Sequence, residues 1–155
     1  MSYDLMVFET GAAPNEHRAF IEWYFRQTKW NEGHSYNETG VASARLQAWF
    51  ADMIAFFPPL NGPLAKEELP EDEGTAANYS IGRQFIYIGF AWSKAEAAYQ
   101  AVAGLAAKHQ LGFFDVSSSE EEVWLPEKAS LTLAHKKNPP TFLGRIKHLL
   151  RINIK

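Results

Sequence analysis

The sequence predicts an α+β fold in one domain, on three observations. Three stretches repeat apolar residues at three and four, five short runs are rich in β-branched and aromatic residues, and their order is β, α, α, β, β, α, β, β. That order implies one mixed or antiparallel sheet with helices packed on it. A chain of 155 residues suits a single core, and 5 Trp, 11 Phe and 6 Tyr supply it.

The first strand is YDLMVFE (3–9), ended by GAAP (11–14). From Asn15 the period turns helical, with Phe20, Ile21, Tyr24 and Phe25 on one side and Glu16, Arg18, Glu22 and Arg26 on the other. Asn15, after Pro14, is the expected N-cap, and the helix runs to about Thr28. KWNEGHSYN (29–37) then breaks either period and reads as a loop. The second helix covers about 43–57, where Leu46, Trp49, Phe50, Met53, Ile54 and Phe57 repeat; Ser43 caps it and Pro58 and Pro59 stop it.

PPLNGPLA continues as an ordered turn, and KEELPEDEGTAAN (66–78) is a surface segment. It carries the carboxylates Glu67, Glu68, Glu71, Asp72 and Glu73. NYSIGRQFIYIGFAW (78–92) reads as two strands, or one long strand bent at Gly82 and Arg83, with the apolar part buried on both sides and Gly89 at a close backbone approach. In SKAEAAYQAVAGLAAKHQLG, Ser93 and Glu96 form the expected capping box and Gly112 the stop. GFFDVS (112–117) and EEVWLP (121–126) form a hairpin. The globular domain is expected over 1–126. Residues 127–155 are expected as a basic C-terminal extension, whose TFLGRIKHLLRINIK could form a short amphipathic helix with Phe142, Ile146, Leu149 and Leu150 on one side.

The net charge of −3 hides an asymmetry. Residues 1–135 hold 18 acidic against 9 basic residues, a balance of −9, while 136–155 hold 6 basic residues and no acidic one. Such a body repels nucleic acid and attracts a cationic partner, and the tail does the reverse. The absence of cysteine excludes disulfides, thiolate zinc sites, Fe–S clusters and cysteine nucleophiles. MSYDLMVFETG lacks a basic leader with an apolar stretch, and no run approaches the roughly 18 apolar residues of a membrane span. The expected location is the cytoplasm, without stable membrane insertion.

Candidate chemistry is sparse. His34 has Glu32 nearby and Asp52 on the following helix, which allows a proton-transfer pair; equally, Trp30 and Tyr36 pin the loop and His34 bonds to backbone. His17, His34, His109, His135 and His148 are scattered, without His-x-x-x-His or Glu-x-x-His spacing, so no metal site is expected. No GxSxG, GxxxxGK[ST] or GxGxxG occurs, so no nucleotide cofactor is expected either. The aromatic residues, Phe56 and Trp92 among them, are expected as core. The acidic run is a solvated loop or a partner surface, for which Phe56, Leu60, Leu64 and Leu69 offer apolar anchors.

The segments MSYDLMVFE, EGHSYN, LQAWFADMIAFFPPLNGP, YSIG, IYIGFAWSKAEAAYQAVAGLAAKHQLGFFDVS and EVWLP, in that order, resemble a family of small uncharacterised bacterial cytoplasmic proteins. The resemblance covers about residues 1–126. Members of that broad group are often encoded beside toxins of polymorphic, contact-dependent or type VI secretion systems, which implies that they are immunity proteins and not enzymes. The residue-level reading agrees, because an acidic, rigid domain suits occlusion of a basic toxin. Its expected contact residues are Glu67, Glu68, Glu71, Asp72 and Glu73, with Trp30, Glu32, His34 and Tyr36 as the second half of the surface or its scaffold. Two alternatives stand beside it: a small enzyme using His34 with Glu32 or Asp52, and a membrane-surface or scaffold protein acting through the basic tail. Docking of the tail on its own domain or on a second copy leaves a homo-oligomer open.

Overall fold

The computed structural model describes residues 1–138. Along them run β1 (Tyr3–Phe8), α1 (His17–Gln27), α2 (Ala44–Met53), β2 (Asn78–Ile81), β3 (Phe85–Phe90), α3 (Ala95–Lys108), β4 (Gly112–Phe114), β5 (Val123–Glu127) and β6 (Ser130–His135). The expected α+β class is observed, and the sheet is antiparallel, with six strands in the order β2-β3-β1-β4-β5-β6.

Side-chain alternation divides the apolar residues between two faces. In β1, Leu5 and Val7 join Trp49, Met53, Val102 and Ala106 from α2 and α3, whereas Met6 and Phe8 join Phe20 and Trp23 from α1. β3 repeats the division, with Ile86 and Ile88 on the first face and Phe85 on the second. The sheet is therefore covered on both sides, by α2 and α3 on one and by α1 with the 29–37 loop on the other. Phe8 stands opposite Gly112 in the β1–β4 register, and a Cβ on that glycine would meet its ring at 2.3 Å. Gly112→Ala is expected to cost about 1–3 kcal/mol through overpacking. The loss reads as a lower urea midpoint at unchanged m-value, and a wild-type midpoint would show that the ring yields freely.

Several boundaries differ from the sequence expectation. Glu16, not Asn15, caps α1, its carboxylate accepting from the backbone N–H groups of Ala19 at 2.8 Å and Arg18 at 3.0 Å. Ser43 caps α2 as expected, but the helix ends at Met53 rather than at 57. Pro58 has no N–H to give Ile54, and its ring clashes with that carbonyl, so the last turn cannot continue. The expected Ser93 capping box does not form: Trp92–Lys94 is a 3-10 turn and α3 starts at Ala95. Two tertiary contacts hold that turn, the Trp92 ring on Tyr3 and Lys94 on Asp72. Gln110 at φ 57°, not a glycine, takes the left-handed position after α3, where its N–H reaches Ala107 O and the Leu111 N–H reaches Ala106 O.

The expected domain end at 126 falls inside β5, and the sheet continues through β6 to His135. The expected amphipathic helix of the tail falls in residues 139–155, outside the described residues.

Candidate functional site

Two segments named from the sequence meet at one corner of the fold. In the 29–37 loop, Trp30, Gly33 and Tyr36 take φ values of 58°, 81° and 61°. Bulky side chains in that region cost of order 1–3 kcal/mol each and persist only when their surroundings hold them. Those surroundings are specific here. Tyr36 is buried, its hydroxyl accepts the Glu32 N–H at 2.8 Å, and its carbonyl accepts the Ile81 N–H at 2.8 Å. Trp30 lies edge-on against Tyr36 and Tyr87, with ring centroids 5.2 and 5.9 Å away.

His34 and Glu32 are brought together, with Nε2 2.9 Å from a Glu32 carboxylate oxygen. The other imidazole nitrogen, Nδ1, accepts the Tyr36 N–H at 3.1 Å. Both ring nitrogens are thus committed within the loop, and the ring packs on Tyr36 at a tilt of 42°, with centroids 4.2 Å apart. The same Glu32 oxygen also accepts the Arg83 N–H at 2.8 Å, which ties the loop to the β2–β3 turn. Asp52 is elsewhere. It accepts from Lys108 Nζ at 2.8 Å and bonds His109 Nε2 at 2.7 Å, in the α2–α3 layer, and those two hydrogen bonds hold its carboxyl below the usual range. Among the described residues, no three histidine or carboxylate side chains are placed to hold a metal ion.

The second segment, 56–77, hangs along the β2 edge. Leu60 donates to Ala77 O at 2.8 Å and Ala77 to Pro58 O at 2.9 Å, while the buried Tyr79 hydroxyl donates to Phe57 O at 2.6 Å. Asn61 imitates a neighbouring strand: its Oδ1 accepts the Tyr79 N–H at 2.9 Å and its Nδ2 donates to Tyr79 O at 2.7 Å. Asn61 Nδ2 also donates to Asn37 Oδ1 at 2.8 Å, which joins the two segments. Gly62, at φ 82°, sits where a Cβ would lie 2.7 Å from Asn37 O, so the close approach requires glycine.

Held this way, the segment buries Phe57, Ala76 and Ala77 but leaves other apolar side chains outside. Phe56, Leu60, Leu64 and Leu69 are between 51% and 61% exposed. Two recesses lie beside Leu60, Leu64 and Leu69, while Phe56 lies apart from both against α3. One of about 290 Å³ is lined by Pro58, Pro59, Leu60, Lys66, Glu68 and Leu69, so it carries one charge of each sign. The other, of about 300 Å³, is lined by Asn37, Phe50, Asn61, Pro63 and Leu64, at the junction of the two segments. Glu67, Glu68, Glu71, Asp72 and Glu73 are all exposed around them.

The five carboxylates are not equivalent. Asp72 pairs with Lys94 Nζ at 2.5 Å, and that bond holds its carboxyl below the usual range. It also accepts the Gly74 N–H at 3.2 Å, so it pins the acidic segment to the start of α3. Of the four loop residues expected at a contact, Trp30 is exposed, Glu32 and His34 are mostly covered, and Tyr36 is buried. Asn37, Asn61 and Gly62 escaped sequence reasoning; the Asn-Gly pair signals a turn but not what its side chain caps. Phe56 and Trp92, expected as core, are exposed.

Comparison with protein-family models, with curated proteins and with solved structures finds no match to this chain. Among the described residues no helix is long and apolar enough to cross a membrane.

Proposed function

We propose that this chain is an immunity-type protein of the bacterial cytoplasm that binds a basic toxin protein through the 56–73 surface and neutralises it by occlusion. The observation that carries this reading is a segment, anchored through Asn61 and Asp72, that exposes Leu60, Leu64 and Leu69 beside exposed carboxylates, with Glu68 sharing one recess with Leu60 and Leu69. Carboxylates steer a cationic partner and speed its capture, and apolar anchors seated against a preformed surface slow its release. Trp30 extends the surface, and Glu32, His34 and Tyr36 act as its scaffold. For His34 to serve as a base instead, one of its two loop bonds has to break first.

The test is co-expression with the product of the adjacent upstream gene. The expected result is a one-to-one complex that co-purifies and relieves the toxicity of that product. A non-toxic neighbour, with no complex at micromolar concentration, overturns the reading.

A further inference from the structure

His17 opens α1 and His135 closes β6, yet their Nδ1 atoms stand 2.8 Å apart. A β-bulge makes this possible. The β5–β6 register passes from Trp124↔Leu133 to Val123↔His135 and skips Ala134, which turns His135 from the α3 face toward α1. There its ring lies edge-on to Phe20, with centroids 5.3 Å apart. On the far side of His17, Nε2 is 3.3 Å from a Glu121 carboxylate oxygen, and Glu121 reaches it from a backbone at φ 50°.

These bonds dictate where the protons are. While both rings are neutral, His17 Nε2 donates to Glu121, so its Nδ1 is an acceptor and His135 Nδ1 the donor. One added proton leaves the pair intact: with His17 charged, its Nδ1 donates to Nδ1 of His135, whose own proton sits on the outer nitrogen. A second would set two N–H groups against each other across 2.8 Å and break it. The groups around the pair pull in both directions. Glu16 and Glu121 favour positive charge, whereas burial and the N-terminal end of α1 oppose it. Lys136, the next residue along, is paired with Glu120 at 3.5 Å. Burial, and then the charge of His17, hold the His135 imidazole below its ordinary range.

We propose that the His17–His135 pair is an acid-sensitive clamp, which holds the end of β6 on the first turn of α1 at neutral pH and releases it when both rings are protonated. Folding disfavours the proton, so the clamp contributes fully above the ordinary histidine range and is lost as pH falls through and below it. It acts at the root of the basic stretch, whose six basic residues begin at the next position, and shares that anchoring with the Lys137 N–H, which donates to Glu120 O at 2.8 Å. This holds whether or not the surface on the opposite sheet edge binds a toxin.

Histidine-ring NMR and amide hydrogen exchange of the full chain, from about pH 8 to about pH 5, test it, because this span covers the change of charge of histidine. Two separate titration steps are expected for the pair, the second below the ordinary histidine value. Protection of the β6 amides is expected to fall about tenfold per pH unit through that second step, as for any opening that takes up one proton. His135→Gln keeps a donor to His17 but removes a titrating ring, and is expected to flatten the pH dependence; His109→Gln, on the opposite face, is expected to leave it unchanged. Two independent titrations at ordinary values, or β6 protection unaffected by pH in the wild-type chain, overturn the clamp, and the ring titration decides even if His135→Gln does not fold.

Discussion

Asn61→Ala is expected to destabilise the protein by about 3 kcal/mol. Three hydrogen bonds vanish together, two to the Tyr79 peptide and one to Asn37. Each is worth about 1 kcal/mol net, which gives about 3 kcal/mol together. β2 is an edge strand, and Asn61 stands where a further strand would pair. Asn37→Ala removes one exposed bond of the same set and is expected to cost under about 1 kcal/mol. Urea unfolding of the two variants compares them directly. Equal midpoints would mean that the Tyr79 pairing does not hold the segment.

Replacing Glu67, Glu68, Glu71 and Glu73 together by glutamine is expected to slow association with the basic partner by about 10- to 100-fold at low salt. Stability should stay within about 0.5 kcal/mol of wild type, because all four side chains are exposed. Asp72 is spared by design, since its bonds to Lys94 and Gly74 are structural. The slope of the association rate against ionic strength is expected to flatten in the variant, the signature of lost steering. Leu64→Ala with Leu69→Ala is expected to leave that slope intact and raise the dissociation rate about tenfold or more, because buried apolar anchors act on release. Stopped-flow measurement at several salt concentrations separates the two effects. A wild-type rate in the glutamine variant would remove the acidic segment from the contact.

Local residue chemistry made much of the fold legible. Apolar spacing at three and four placed α1, α2 and α3 within a few residues, and the GFFDVS and EEVWLP runs paired as expected in β4 and β5. β6 was missed because SLTLAH lies beside a lysine and lacks a glycine turn; the hairpin turns instead on Lys128 at φ 56°, with its carbonyl accepting from Gln110 at 2.7 Å. Trp23 was missed as core because five successive residues, IEWYF, include four large apolar ones and the pattern cannot rank them. In the candidate site, the acidic residues and the leucines were readable, as charge and hydropathy are properties of single residues.

By itself the sequence determined the class of the fold, the order of most of its elements, the absence of thiol chemistry and the separation of an acidic body from a basic tail. These depend on composition and on short-range period, which each residue carries with it. Only the tertiary structure decided that Asn61 pairs with Tyr79, that both nitrogens of His34 are used inside its own loop, that Asp52 serves α3, and that His17 meets His135. Each of these is a hydrogen bond between groups whose alignment depends on a turn, a bulge or a positive φ, and a shift of one residue in any of them would point the donor elsewhere.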